Sequence, residues 1–192
     1  LAYRTLRGLR PDAEVVVVIG GHLQPEDSVR IAPEDAVETP FGSLPIDDEL
    51  RGWIRERMEW ETDHAVDNTV EVQLPLLAEI YGSIPIVYLR CPPSSASQAL
   101  GRSIAEFAKS AGRTVVAVGS TDLTHYGVSY GFSPHGAGED AVRWVKNVND
   151  ARLIETLLDA DPGAIVERAL AERSACSAGA AAAAAAFARA SG

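Results

Sequence analysis

Residues 15–19 read Val-Val-Val-Val-Ile, an apolar run with no polar alternation. Branched side chains are stiff in a helix and pack well on a pleated surface. A strand that never alternates must be covered on both faces, the condition met inside a parallel sheet flanked by helices. Ile84-Pro85-Ile86-Val87-Tyr88-Leu89 and Thr114-Val115-Val116-Ala117-Val118 have the same character. Between these runs the apolar spacing becomes helical. It is seen at residues 2, 3, 6 and 9, at Leu50, Trp53 and Ile54 behind an Asp47 cap, at Val70, Leu74, Leu77 and Tyr81, and at Leu100, Ile104 and Phe107. This order predicts an α/β domain of three layers: a largely parallel sheet with helices on both faces.

Other stretches leave choices open. Ala36 to Ile46 reads as two short strands around a Gly-Ser turn, or as a loop over the site. Asn68 and Glu71 have capping-box spacing. Pro75 sits too deep to open that helix, so either the helix kinks or it begins near Leu74. From Gly138 onward the chain reads helical: Val142 to Val148, Ala151 to Leu158, Pro162 to Leu170 capped by Asp161, and an alanine-rich stretch from Ser177 to Ala190.

In open α/β sheets, ligands bind beyond the carboxyl ends of the strands. Three chemistry-bearing segments fall at such places. Val15–Ile19 runs into Gly20-Gly21-His22; Thr114–Val118 runs into Gly119-Ser120-Thr121-Asp122-Leu123-Thr124-His125-Tyr126; and Cys176 precedes the last helix. His22, Asp122 and Cys176 are read as one site. Each has a plainer alternative: His22 as a turn residue, Asp122 as the cap of a following turn, Cys176 as a filler in an alanine seam. His125, three residues after Asp122, could orient it or act as acid or base. His64 lies between Asp63 and Asp67 in a polar patch, and His135 reads as a loop residue. Cys91 reads as a buried filler after its strand. No phosphate loop, nucleophile elbow or Cys-x-x-Cys is present.

The 192 residues fit one domain. With 27 acidic against 17 basic residues the net charge is −10, which argues against nucleic acid or an anionic membrane surface as partner. The alanine-rich tail is too weakly apolar to span a bilayer. Two cysteines give no disulfide framework, so reduced thiols and a cytoplasmic setting are expected. The chain opens at Leu1 on what reads as the end of a helix; an interior piece of a longer protein, lacking segments at both ends, is expected.

Five segments, in order, resemble the Memo family, whose bacterial members are called AmmeMemoRadiSam system protein B. Ile19-Gly20-Gly21-His22 is similar to its Gly-Pro-Asn/Ser-His element, and Thr39-Pro40-Phe41-Gly42 to Thr-Pro-Leu-Gly. Asp67 to Leu77 resembles Glu-His-Ser-Ile-Glu-x-Gln-Leu-Pro-Phe-Leu, Ser120 to Tyr126 resembles Ser-Ser-Asp-Leu-Ser-His-Tyr, and Ala175 to Gly179 resembles the Cys-Gly element. Departures are Gly21 for Asn or Ser, Asn68 for His, and Ser177 for Gly. The resemblance implies a single Memo-like domain over 1–192, with the fold of class III extradiol ring-cleaving dioxygenases. It implies a metal site of His22, Asp122 and Cys176, joined by a histidine from a Pro-His-Ala-Gly element lying before Leu1.

The expected cofactor is a divalent metal, iron(II) foremost, with zinc or copper as alternatives. His125 is the expected acid or base. Gly21, His64, Asn68, Glu71 and Tyr126 are expected to meet a substrate. The leading expectation is a dioxygenase-like oxidoreductase acting on a small molecule, aromatic ones included. A metal-dependent hydrolase and a non-enzymatic protein that holds a peptide in the cleft are the alternatives. Resemblance also suggests AMMECR-type and radical SAM partner proteins, and a homo-oligomer is a further expectation.

Overall fold

A computed structural model describes residues 2–192. Its centre is a five-stranded sheet, ordered β5-β2-β6-β1-β7. The strands are β1 (Val15–Gly20), β2 (Val29–Ile31), β5 (Trp60–Thr62), β6 (Ile86–Arg90) and β7 (Val115–Gly119). β1 runs parallel to both neighbours, with Val17 opposite Val87 on one side and Ala117 on the other. β2 is antiparallel to β6 and parallel to β5, so the sheet is mixed but mostly parallel. β2 and β5 have three residues each, too short to leave a periodic signal in the sequence.

Every residue of β1 is buried, and period-two geometry explains why. Val15, Val17 and Ile19 point to one face, where they meet Leu50 and Ile54 of α2 (Asp48–Arg57), Leu100, Ile104 and Phe107 of α5 (Ser95–Ala111), and Ala180 and Ala183 of α9 (Ala178–Ser191). Val16 and Val18 point to the other face. There they meet Tyr3 of α1 (Ala2–Leu9), Leu74 and Leu77 of α4 (Leu74–Tyr81), and Leu44 of β4 (Gly42–Pro45). β4 pairs with β3 (Ala36–Thr39) as a hairpin set apart from the main sheet.

Caps fix where helices begin. Asp47 accepts the Leu50 amide at 2.9 Å, as its position suggests. The cap of α3 (Asn68–Glu71) is Asp67, whose side chain accepts the Thr69 amide; the capping-box spacing of Asn68 and Glu71 is off by one residue. The helix over 68–81 divides before Pro75, and α4 begins at Leu74 with that proline in its first turn. In the second half, α6 (Glu139–Trp144) passes through one π-helical turn, Val145–Asn149, into α7 (Asp150–Leu158), and α8 (Pro162–Glu172) follows.

The alanines of α9 answer to close packing. A Cβ on Gly101 of α5 would sit 2.3 Å from the Ala183 carbonyl, and one on Gly119 of β7 2.5 Å from the Ala180 carbonyl. Backbones this near each other leave room only for small side chains. That seam pulls the start of α9, and Cys176 with it, against the ends of β1 and β7. Among the described residues no helix is long and apolar enough to cross a membrane.

A candidate metal centre at the rim of the sheet

Three strand ends and the start of α9 meet at one rim. The Gly20 carbonyl accepts the Cys91 amide and the Ile19 carbonyl accepts the Ser120 amide, so the exits of β6 and β7 are tied to the exit of β1. Gly21 then lies against Ser177: a Cβ there would be 2.4 Å from the Ser177 Cβ and 2.7 Å from its Cα. His22 and Cys176 are the residues immediately next to this contact. The sharp exit leaves His22 at φ +58°, a left-handed conformation uncommon for a side-chain-bearing residue.

On the other side of Cys176 is the loop after β7. The Cys176 amide donates to the Asp122 carbonyl at 3.2 Å, and the Asp122 amide donates back to the Cys176 Sγ at 3.2 Å. The Thr121 and Ser177 hydroxyls lie 3.8 and 3.4 Å from the same sulfur. His125 Nε2 is 3.4 Å from Asp122 Oδ2. Asp122 caps no helix; its carboxylate is 70% exposed and turned toward His125. One oxygen of Asp122, one ring nitrogen of His125 and the Cys176 sulfur all lie within 4.8 Å of one another.

That spacing passes a simple test of fit. With bonds of about 2.0–2.3 Å, the donors around one ion stand roughly 3–4 Å apart. The group therefore needs only a small closure, chiefly of the exposed Asp122 carboxylate. Carboxylate, imidazole and thiolate together suit a transition metal and not calcium or magnesium.

The structure brings Asp122 and Cys176 together, with His125 as the third member of the group. His22, expected as a ligand, is outside that group: the exit of β1 turns its ring to Asp67, with Nδ1 3.2 Å from Asp67 Oδ2. Asp67 is buried and accepts from several donors: the Thr69 amide at 2.9 Å, the Thr69 hydroxyl at 2.5 Å and Arg90 at 3.2 Å. Arg90 also makes a two-pronged pair with Asp63, 2.7 Å on each arm. Burial pushes the Asp67 pKa up. The Thr69 hydrogen bonds and the nearby His22 and Arg90 outweigh that and hold the carboxyl below its ordinary value.

The other expected residues are dispersed. His64 and Glu71 line a narrow cavity of about 110 Å³ together with Glu34, Asp63, Tyr88 and Arg90, separated from His22 by Asp67. Asn68 is exposed at the start of α3. The Tyr126 hydroxyl is committed to the loop after it, donating to the Gly136 carbonyl and accepting the His135 amide. His135 stacks on Trp144 at 4.3 Å.

Several working residues carried only faint signals. Arg90 pairs in register with Gly20 at the carboxyl end of an apolar strand, and a charged residue at that position marks the binding rim. Asp67 shows the Asx pattern of an acid two residues before a helical threonine. Asn149 and Asp150, which anchor Thr124, carried no local signal. Asn149 donates to the Thr124 Oγ1 at 2.9 Å, and Asp150 accepts both the Thr124 amide and its hydroxyl.

The fold and this rim define a class: a mixed, mostly parallel α/β domain with a mixed oxygen, nitrogen and sulfur donor group beyond the strand ends. The crystal structure of an uncharacterized protein from Escherichia coli K12 has the same fold, with a TM-score of 0.61 over 97% of this chain and 80% of that one at 13% identity. The Memo-like protein family model matches residues 1–190, and the chain belongs to that family. A MEMO1 family protein of Pyrococcus furiosus is 31% identical over 206 aligned residues, covering 100% of this chain and 70% of its own length. One from Pyrococcus abyssi is 31% identical over 204, covering 98% and 69%.

Proposed function

We propose that this chain is the metal-binding domain of a dioxygenase-like oxidoreductase acting on a small molecule. Asp122, His125 and Cys176 are its donors. The observation behind this reading is the approach of their three donor atoms to within 4.8 Å at a strand-end rim. An exposed carboxylate in a three-residue set leaves positions open, which suits catalysis better than a closed structural site. When bound, iron(II) would supply a Lewis-acidic, redox-active centre with open positions. The protein's own part is to place the donors, to fix Cys176 between the Asp122 amide and two hydroxyls, and to hold a proton at the His125 ring.

A second arrangement of the same centre has its own support. Metal-ligating histidines usually donate their other ring N–H to a carboxylate or carbonyl. The contact between His22 Nδ1 and the buried Asp67 has that form. In this arrangement His22 is the imidazole ligand and His125 is free to act as acid or base.

Metal content after loading with iron(II) under anaerobic conditions tests both. Cys176→Ala and Asp122→Asn should each abolish stoichiometric binding, while Glu79→Gln on α4 should not. If His125→Ala loses metal and His22→Ala keeps it, the first arrangement holds; the reverse selects the second. Full occupancy in the Cys176→Ala protein would refute the metal centre. Visible bands on adding nitric oxide to the loaded protein would support iron with open positions, and their absence in a zinc-loaded, hydrolytic protein would favour the hydrolase reading.

A further inference from the structure

Beside the donor group lies a cavity of about 260 Å³ walled by Leu123, His125, Tyr130, Leu170, Arg173 and Cys176. Two of the three donor residues thus form part of its wall. Most of the rest is apolar: Leu123 and Leu170, with the Tyr130 ring stacked 4.8 Å from the His125 ring. The volume equals roughly nine waters at ~30 Å³ each, room for one ring or a short chain.

Arg173 is the permanent cation of this cavity, and no carboxylate lines it. It closes α8 from a left-handed backbone, φ +50°, with its amide donating to the Ala169 carbonyl. The guanidinium donates to the Gly131 carbonyl at 3.1 Å and the Tyr130 carbonyl at 3.0 Å, and lies over the Phe132 ring at 4.8 Å. These contacts hold the group in place without neutralising it. Among the described residues Arg173 forms no ion pair, although the chain carries 27 acidic side chains. An arginine offers five N–H donors in a fixed fork, and the two carbonyl bonds leave three of them.

We propose that this cavity is a subsite for a small monocarboxylate with an apolar or aromatic body, and that Arg173 recognises its charge. The apolar wall takes the body and the guanidinium takes the carboxylate, the geometry for which arginine is suited. A single cation, with the Asp122 carboxylate in the adjoining donor group, matches one negative charge better than the two of a phosphate monoester. The proposal rests on the metal-centre reading for where the bound molecule is delivered; the charge recognition itself does not depend on a metal.

The test uses metal-free protein at neutral pH. Benzoate, benzyl alcohol and phenyl phosphate are titrated into the wild type, Arg173→Asn, Arg173→Lys and Leu170→Glu, with amide and His125 ring shifts read by NMR. Asparagine is chosen because it tolerates the left-handed backbone. Benzoate should bind the wild type more tightly than either other probe. Its affinity should fall about tenfold or more in Arg173→Asn, consistent with loss of a charge-assisted bond, and be partly restored in Arg173→Lys. Benzyl alcohol should bind weakly and alike in both. Leu170→Glu, at a half-exposed position, puts a carboxylate into the same cavity, where it should repel benzoate and compete for Arg173, and stands in if Arg173→Asn fails to fold. Equal benzoate affinity in wild type and Arg173→Asn, no benzoate binding at all, or a preference for phenyl phosphate would overturn the proposal. Asp122→Asn, outside the cavity wall, separates the two readings: if it takes up no iron(II) on loading yet binds benzoate as the wild type does, the subsite stands, and iron(II) uptake equal to wild type strikes only the metal centre.

Discussion

The Nδ1 of His22 lies 3.2 Å from Oδ2 of Asp67, a carboxylate that Arg90 and Thr69 also hold. An ionised carboxylate can only accept, so the ring must donate from Nδ1. That leaves the Nε2 lone pair for a metal or a proton. In Asp67→Asn this demand weakens. The Nδ1–H tautomer should dominate in the wild type, by nitrogen-15 shifts of the ring, and should lose ground in the variant. If His22 ligates, metal affinity should also drop by about 10–100-fold. A wild-type ring protonated at Nε2 would contradict the arrangement.

The same carboxylate makes stability depend on pH in a defined direction. The folded pKa of Asp67 is below its ordinary value, so its contribution is complete above the unfolded pKa of about 3.9 and is lost as pH falls through the lower folded value. The urea midpoints of wild type and Asp67→Asn should therefore differ most near neutrality and converge in acid. Convergence on raising the pH instead would show that the linkage has the opposite sign.

Gly21→Ala should damage both fold and centre. The new Cβ meets the Ser177 Cα at 2.7 Å, a backbone atom that cannot rotate away. The cost should be about 1–3 kcal/mol, as for other overpacked sites. Metal uptake should fall because His22 and Cys176 flank the contact. Gly8→Ala on α1, with nothing within 4 Å, is the control and should be neutral or stabilising by up to ~1 kcal/mol.

The two thiols should behave differently. Cys91 is fully buried, and burial pushes its pKa far above the ordinary thiol value. Cys176 is half-buried at the rim. Iodoacetamide at pH 8 should alkylate Cys176 alone in the folded protein and both in urea, as read by mass spectrometry. Bound metal should protect Cys176.

Asn149→Ala should loosen the loop that carries Asp122 and His125. Asn149 is 2% exposed and ties Thr124 to the Glu172 carbonyl from the π-helical turn. Removing it takes the donor from two half-buried acceptors, the Thr124 hydroxyl and the Glu172 carbonyl, a loss of about 1 kcal/mol. Amide exchange across 121–127 should rise more than the global loss of stability requires.

Local patterns carried the strands and helices well. The unbroken run at 15–19, the spacing of Leu100, Ile104 and Phe107, and the cap at Asp47 are properties of neighbouring residues, and neighbours determine local geometry. The motifs also placed Asp122, His125 and Cys176 in segments that the fold brings to one rim. The cap at Asp67 was missed by one residue because Asp and Asn are both good caps and only backbone angles separate them. β2 and β5 escaped because their pairing partners, not their own three residues, make them strands.

By itself the sequence determined the layered α/β class, the strand-end position of its polar residues and the family to which they point. Tertiary structure alone brought a His125 nitrogen near Asp122 and Cys176, set His22 against Asp67, and placed Arg173 on a cavity that no carboxylate lines. Periodicity and caps are short-range and repeat along the chain. The distance from Cys176 to Asp122 spans 54 residues of sequence and depends on how closely a helix of alanines can lie against a glycine.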